Sequence, residues 1–309
     1  MASLSAVVCR SVVAFVAVVL SVSVAHAQEV GCDDLATRDA DLSRAQVSIE
    51  GLIARDTALI AAFVRAAFHD CITATRDNPT SGCNGSLRFD EELQDGNNQR
   101  LDVPINALEG VIAGTCTSMA DAIQLASARS VRAAGGPDVT QLVVSASTPR
   151  ADATSPDTVA GELPSSDFSL RESLVFYREK GFTTTDLVAS LAGGHSIGGF
   201  GRGTILPFTP DETTISPSFA ANLVTRADGA AANAERFNTL PADDALITSG
   251  TTVNILRSYS TCTSTEVPCA EYDPTAVQAL NSDFARFLVK ASRLTGRTVG
   301  RARLLASRL

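Results

Sequence analysis

Apolar positions recur every three to four residues over most of the chain, which is the spacing of one face of an α-helix. Alternation with a period of two, which is typical of strands, is scarce outside 142–144. We therefore predict a mostly α-helical fold with very little β-structure. The predicted helices are 34–55, 58–71, 102–113, 118–134, 169–180, 185–194, 218–226 and 278–295, and clusters of Gly, Pro, Ser and Thr predict loops at 77–86, 135–138, 147–167, 198–217 and 241–251.

The helix predicted at 58–71 places a guanidinium and an imidazole on one face. Arg65 and His69 are four residues apart in an apolar run, so they lie one turn apart on the same side. A permanent cation beside a proton acceptor suits chemistry in which a proton moves while negative charge develops nearby. The alternative is a buried, hydrogen-bonded structural pair.

A second histidine ends the helix predicted at 185–194. His195 follows two glycines, and the segment 183–186 supplies hydroxyl and carboxylate groups that can cap the start of this helix. The chain has three histidines, of which His26 lies in the N-terminal segment. The candidate chemistry therefore depends on His69 and His195.

The first 27 residues resemble a secretory signal peptide. Arg10 gives a weakly basic start, an apolar stretch covers 12–20, and Ala25-His26-Ala27 has the small-x-small pattern of a cleavage site. The alternative is a membrane anchor, but the apolar run is far shorter than the roughly 20 residues that a spanning helix requires. We expect residues 1–27 to be removed and residues 28–309 to form one exported domain that is not bound to a membrane.

Charge and cysteine content narrow the class of protein further. The formal net charge is −9 and the chain has no basic cluster apart from arginines near its C-terminus, which argues against nucleic-acid binding. Without Cys9 six cysteines remain, an even number that in an exported chain favours disulfides over zinc ligands. Several pairings are open. Short separations favour Cys71–Cys83 and Cys262–Cys269, which would leave Cys32–Cys116.

The two histidines lie in motifs with a fixed order. Arg65-x-x-Phe68-His69-Asp70-Cys71 comes first, and Asp-Leu-Val followed by Gly-Gly-His-Ser-Ile-Gly at 186–198 comes second. Together they resemble the plant-type (non-animal) haem peroxidase superfamily. Further segments at 82–86, 88–93, 98–102, 120–121, 149–152 and 283–296 match in the same order, so the resemblance covers about 30–296.

The resemblance implies a two-lobed helical haem peroxidase fold, with haem b between a distal and a proximal lobe. His195 would bind the iron, and its other ring nitrogen would donate to a buried carboxylate. The family takes that carboxylate from a segment that matches 242–246, so Asp243 would be the partner and Asp244 the alternative. The pair Asp121 and Arg150 would be a structural ion pair.

The same resemblance assigns roles on the distal side. His69 would take a proton from hydrogen peroxide and return it to the leaving oxygen, while Arg65 would stabilise the developing negative charge. Asn98 would hold the outer nitrogen of His69 through its carbonyl, with support from Glu92. Asn97 competes for this role, but the spacing to the Leu-Asp pair at 101–102 favours Asn98. Phe68 would pack over the haem.

Many secreted relatives bind two structural calcium ions, which prefer several hard oxygen ligands. On the distal side an asparagine stands where an aspartate is usual, and 84–86 is also a glycosylation sequon. On the proximal side the second expected aspartate is replaced by Ser216 or Ser218. The matching distal positions are Asp70, Gly82, Asn84 and Ser86, and the proximal candidates are Ser196, Asp211 and Thr213.

The class of electron donor is limited by the absence of residues that relatives use for particular donors. The chain has no tryptophan, and alanines occupy positions 58 and 62, where manganese-oxidising relatives carry acids. Thr204 stands where ascorbate-using relatives carry an arginine. We therefore expect small phenolic or aromatic donors that are oxidised at the haem edge.

The sequence thus predicts a secreted, monomeric haem peroxidase that reduces hydrogen peroxide, oxidises small organic donors and serves the response to oxidative stress. Two alternatives stay open. The first is a secreted haem-binding protein of the same fold with little turnover, and the second is a metal-dependent hydrolase built on His69 and Asp70.

Overall fold

The computed structural model describes residues 32–159, 161–200, 206–229, 238–263, 269 and 271–299. Within them the chain is almost entirely helical. The α-helices are α1 Leu35–Arg55, α2 Leu59–Ile72, α3 Asp90–Leu93, α4 Asp102–Ile112, α5 Met119–Ala133, α6 Thr140–Val143, α7 Leu170–Glu179, α8 Thr184–Gly194, α9 Ser218–Ala227, α10 Pro241–Leu246, α11 Gly250–Tyr259 and α12 Pro274–Ala291. Two 3₁₀ turns cover Ser86–Arg88 and Gly96–Asn98, and one short antiparallel pair joins β1 Gly199–Phe200 to β2 Leu206–Pro207.

All eight predicted helices are present, with ends that differ by a few residues. One prediction was wrong, because the loop predicted at 241–251 contains α10 and the start of α11. The short alternating segment at 142–144 is not a strand, and its first two residues lie in the single helical turn α6. The helix α10 begins with proline, whose fixed φ suits a first helical position, and such a six-residue helix is too short for periodicity to reveal.

Packing between helices places the two histidine-bearing helices in the interior. α2 packs mainly against α5, and α8 packs mainly against α12. The α8–α12 contact is close because Gly193 has no side chain, and a Cβ atom there would collide with the ring of Phe284. The helix α8 starts with a capping box, in which Thr183 and Asp186 bond each other's backbone N–H groups.

Three disulfides link the chain, and all three predicted pairings are confirmed. Cys32 bonds Cys116, Cys71 bonds Cys83, and Cys262 bonds Cys269. The second bond ties the end of α2, directly after His69, to the loop that follows it. In the part of the chain that the structure describes, no helix is both long enough and apolar enough to cross a membrane.

Arg150 and Asp121 form the expected buried ion pair. The guanidinium donates to the carboxylate over 2.7 Å and to the carbonyl of Ser292 over 2.7 Å. It therefore joins α5 to the residue after α12, which is a structural task.

Candidate active site

The helix α2 carries Arg65 and His69 on one face. The short segment 97–99 forms hydrogen bonds with both side chains. The amide oxygen of Asn98 lies 2.7 Å from Nδ1 of His69. The amide nitrogen of Asn98 donates to the backbone carbonyl of Glu92 over 2.9 Å, so the oxygen is the end that faces the imidazole. Nδ1 of His69 must then donate, which leaves Nε2 as an unprotonated acceptor.

Glu92 supports this link through its backbone and not through its side chain. One carboxylate oxygen of Glu92 accepts from the backbone N–H of Asp157 over 2.6 Å. The side chain thus fixes a distant loop while the carbonyl fixes Asn98.

The neighbours of Asn98 hold the guanidinium of Arg65. Its two terminal nitrogens donate to the carbonyl oxygens of Gln99, at 2.8 Å, and of Asn97. The two asparagines that competed for one role therefore have separate roles, since Asn97 binds Arg65 through its backbone and Asn98 binds His69 through its side chain.

Burial and a nearby positive charge shape the chemistry of His69. Burial lowers its pKa and the charge of Arg65 lowers it further, while the bond to Asn98 raises it, with a net value of about 3. The imidazole is thus neutral near neutral pH and can accept a proton. Burial also lowers the pKa of Arg65, whose guanidinium nevertheless stays protonated.

His195 ends α8 as its C-cap residue, and its ring is oriented by a carboxylate. Nδ1 lies 2.9 Å from Oδ1 of Asp243, a fully buried side chain whose other oxygen accepts from the N–H of Leu240 over 2.8 Å. The competing Asp244 instead binds Arg226, with one bond of 2.9 Å. Asp243 is therefore the partner that the structure brings to His195.

The donor set at His195 fits haem iron. With Nδ1 donating to an anion, Nε2 is a neutral, electron-rich nitrogen ligand of the kind that haem takes on its proximal side. The side chain is 21% exposed, so it is not sealed inside the core. His195 and its partner Asp243 therefore fit haem, the cofactor that the resemblance implies.

Two phenylalanines hold the His195 ring, and the sequence did not reveal them. Phe208 stacks on the imidazole with centroids 4.2 Å apart, and Phe219 meets it edge-on at 5.5 Å. Phe208 lies in a loop without periodicity, so no local pattern distinguished it from other phenylalanines. Phe68 packs on Phe287, with ring centroids 5.9 Å apart, and lies edge-on to His69.

The predicted distal calcium residues lie together in a buried cluster. Asp70 is fully buried and accepts the backbone N–H groups of Gly85 and Leu87 over 3.2 and 3.4 Å. The hydroxyl of Ser86 faces the side chain of Glu92, and this hydroxyl and one oxygen of Glu92 are buried without any other hydrogen-bond partner. Buried oxygens without partners beside a buried carboxylate fit a bound cation.

Asn84 belongs to this cluster, but both ends of its side-chain amide form hydrogen bonds within the protein. Its oxygen accepts from the N–H of Ser86 over 3.0 Å, and its nitrogen donates to Thr80 over 2.9 Å and faces Asp157 at 3.2 Å. That nitrogen would carry a glycan, and in this fold it is buried and hydrogen-bonded, which favours a structural role for Asn84 over a glycan. Asp157, which also accepts from the N–H of Gly82 over 2.9 Å, was missed because it lies far away in sequence.

The predicted proximal calcium residues Ser196, Asp211 and Thr213 have side chains that are already engaged in hydrogen bonds in this structure. The hydroxyl of Ser196 donates to the carbonyl of Gly193 within α8, whereas the exposed Asp211 accepts from the hydroxyl of Thr213 over 2.7 Å. Thr209 is buried, and its hydroxyl contacts the carbonyls of Ser196 and Asp211. The hydroxyl of Thr209 thus brings these two carbonyls to one place, while the side chains of Ser196 and Asp211 have hydrogen bonds of their own. Among the described residues, no three His, Cys, Asp or Glu side chains are arranged to bind a metal ion together.

A helical protein with one histidine on a buried carboxylate and another beside an arginine matches the class of plant-type haem peroxidases. The model of the family described as Peroxidase matches residues 45–284, and the chain belongs to this family. It is a peroxidase, and the family implies haem as the cofactor and hydrogen peroxide and an electron donor as the substrates.

Curated relatives agree with this assignment. The chain is 28% identical over 291 residues to Peroxidase 66 of Zea mays, covering 83% of this chain and 82% of that protein. It is 28% identical over 302 residues to Peroxidase 2 of Oryza sativa subsp. japonica, covering 87% and 88%. A probable L-ascorbate peroxidase 4, peroxisomal, of the same rice is 37% identical over 139 residues, or 44% of each chain.

Proposed function

We propose that this peroxidase uses haem b bound through His195 and oxidises small phenolic or aromatic donors in one-electron steps. The observation that carries the proposal is the matched pair of imidazoles. In each histidine one partner binds Nδ1, which is Asn98 for His69 and Asp243 for His195. Nε2 of each ring is therefore left for another task. One is suited to accept a proton and the other to bind a metal.

Haem would supply an iron centre that accepts oxidising equivalents from peroxide and passes them to the donor. The residues of the chain control the protons and the charge. Nε2 of His69 takes a proton from hydrogen peroxide and returns it to the oxygen that leaves as water, and the low pKa keeps this nitrogen free beforehand. Arg65, held by two carbonyls, stabilises the negative charge that develops when the O–O bond breaks.

The proximal residues keep the iron ligand in place. Asp243 fixes the tautomer of His195 and makes Nε2 more electron-rich, and Phe208 and Phe219 restrict rotation of the ring. This support is built from fully buried or nearly buried side chains, so it is expected to be rigid.

The donor class follows from the residues at the positions where relatives bind other donors. Ala58 and Ala62 offer no carboxylate for manganese, and Thr204, which lies outside the described residues, offers no charge for ascorbate. We expect a phenol to be oxidised with a much higher kcat/KM than manganese(II) or ascorbate. Steady-state rates with the three donors at one peroxide concentration test this, and a preference for ascorbate or manganese would contradict it.

Calcium binding on the distal side only is part of the proposal. The buried oxygens of Ser86 and Glu92, which have no partner beyond each other's side chains, support it together with the carboxylate of Asp70. We expect one tightly held calcium per chain, measured by elemental analysis after gel filtration. The variant Ser86→Ala should lose it, while Ser196→Ala should not change the metal content.

Export is proposed as well, with the chain acting as an extracellular monomer that binds neither nucleic acid nor membranes. Three disulfides support an oxidising compartment. Expression in a secreting host followed by N-terminal sequencing tests the processing, and the expected first residue is Gln28.

A further inference from the structure

One short turn of chain contacts both distal groups. The segment 95–100 contains the 3₁₀ turn Gly96–Asn98, and its three consecutive residues Asn97, Asn98 and Gln99 supply a carbonyl, a side-chain amide and a second carbonyl. The two carbonyls accept from Arg65, and the amide oxygen accepts from His69. The relative position of guanidinium and imidazole is therefore determined at one place, in addition to the helix that carries them.

This turn ends in an unfavourable backbone conformation. Arg100 has φ = 67°, and it is the only non-glycine residue with a positive φ among the residues that the structure describes. A side chain with a Cβ atom disfavours this left-handed region, and such residues persist only where the surrounding structure imposes them. The Arg100 side chain is exposed, so no packing of that side chain explains the conformation.

The conformation of Arg100 sets the direction of a carbonyl that holds Arg65. Rotation about φ of Arg100 turns the peptide group that contains the Gln99 carbonyl. The chain on the other side is anchored, because Leu101 is buried and its N–H donates to the carbonyl of Asn98 over 3.0 Å. With that side fixed, a negative φ would turn the Gln99 carbonyl away from the guanidinium and displace the turn that carries Asn98.

We propose that Arg100 is a positioning residue, whose left-handed backbone makes the 95–100 turn a single clamp for Arg65 and His69. This rests on the proposed function, because it concerns how the two groups that act on peroxide are held. The role belongs to the backbone conformation and not to the positive charge of the side chain. A change at this exposed position should therefore affect both distal groups together.

Four variants separate conformation from charge. Arg100→Gly and Arg100→Asn remove the charge but accept the left-handed region, whereas Arg100→Ala disfavours it and Arg100→Val disfavours it more. Two properties of the haem-loaded protein are measured for each variant. The rate constant for the reaction with peroxide reports on His69, and the dissociation constant for fluoride, a small anion that the guanidinium would stabilise, reports on Arg65.

We expect Arg100→Gly and Arg100→Asn to match the wild type in both measurements. Arg100→Val should slow the peroxide reaction and weaken fluoride binding, each on the order of 10- to 100-fold, because small misplacements of reacting groups are costly. Arg100→Ala should lie between, and it provides the test if the valine variant does not fold. The melting temperature of Arg100→Gly should equal or exceed that of the wild type.

Two results would overturn the inference. If glycine and asparagine lower both properties as much as valine and alanine do, the charge matters and the conformation does not. If alanine and valine leave both properties unchanged, or alter only one of them, the turn does not clamp both groups. Failure of the wild type itself to react with peroxide would instead contradict the proposed function, so the two failures are distinguishable.

Discussion

The two active-site histidines are held in the same way by partners of different charge. Nδ1 of His69 meets a neutral amide at 2.7 Å, and Nδ1 of His195 meets a buried carboxylate at 2.9 Å. Burial and the nearby guanidinium lower the pKa of His69 to about 3 and the neutral partner raises it only in part, so His69 is a free base. An anionic partner would make His195 a stronger ligand. The charge of the Nδ1 partner is thus one difference between the proposed proton acceptor and the proposed iron ligand.

The loops next to these histidines differ as well. The distal loop buries Asp70 beside oxygens of Ser86 and Glu92 that have no partner beyond each other's side chains. In the proximal loop the hydroxyl of Thr209 lies within hydrogen-bond distance of the carbonyls of Ser196 and Asp211. The distal loop thus keeps buried oxygens that support the proposed calcium, whereas the proximal side chains of Ser196 and Asp211 are hydrogen-bonded within the chain.

The largest effect is expected from removing the proximal ligand. His195→Ala takes away the imidazole nitrogen that we propose as the haem iron ligand, so the variant should lose bound haem and with it all peroxidase activity. Haem content after desalting, measured from the ratio of Soret to protein absorbance, checks this. Retained haem with normal activity would show that the two histidines do not have these separate roles.

Removing the distal base should leave haem in place and slow the reaction with peroxide. General acid–base groups contribute roughly 10²- to 10⁴-fold, and His69→Leu should lose a factor in this range. Stopped-flow measurement of the peroxide reaction gives the rate. His69→Leu and His195→Ala serve as controls for each other, because only the second should lose haem.

Giving both histidines an amide as the partner of Nδ1 should weaken the iron-binding role proposed for His195. Asp243→Asn replaces the proximal carboxylate by an amide, as at His69. Partners of metal ligands typically contribute about 10- to 100-fold in affinity or activity, so haem affinity or turnover should fall by that order. Asp244→Asn is the matched control, since Asp244 binds Arg226 and should change neither.

The reverse exchange on the distal side should alter the pH profile. Asn98→Asp would place a carboxylate on His69 and raise its pKa from about 3. The acid limb of the peroxide reaction, where the base becomes protonated, should move to higher pH. An unchanged acid limb would mean that His69 is not the group whose protonation limits the rate.

The smallest effect is expected on stability. The pKa of folded His69 lies below its ordinary value of 6.5, so its contribution to stability is present above about pH 6.5 and is lost as pH falls towards about 3. The melting temperature of the wild type should therefore fall more steeply between about pH 6.5 and 4 than that of His69→Gln. Parallel curves would contradict the lowered pKa.

The sequence predicted the helices that carry the site because their apolar periodicity is long and strong. It also predicted the contacts of Asn98 and Asp243, since both lie in segments that match the family in spacing. It did not predict Phe208, Asp157 or the carbonyls that hold Arg65. These contacts depend on how loops fold back onto helices, and a backbone carbonyl leaves no trace in the residue types.

The most direct measurement is the absorption spectrum of the haem-reconstituted protein before and after one equivalent of hydrogen peroxide. We expect a Soret band that loses intensity with peroxide and recovers when a phenol is added. A Soret band that does not change when peroxide is added would contradict the role of His69 and Arg65. Failure to bind haem at all would contradict the role of His195, and with it the division of work between the two histidines.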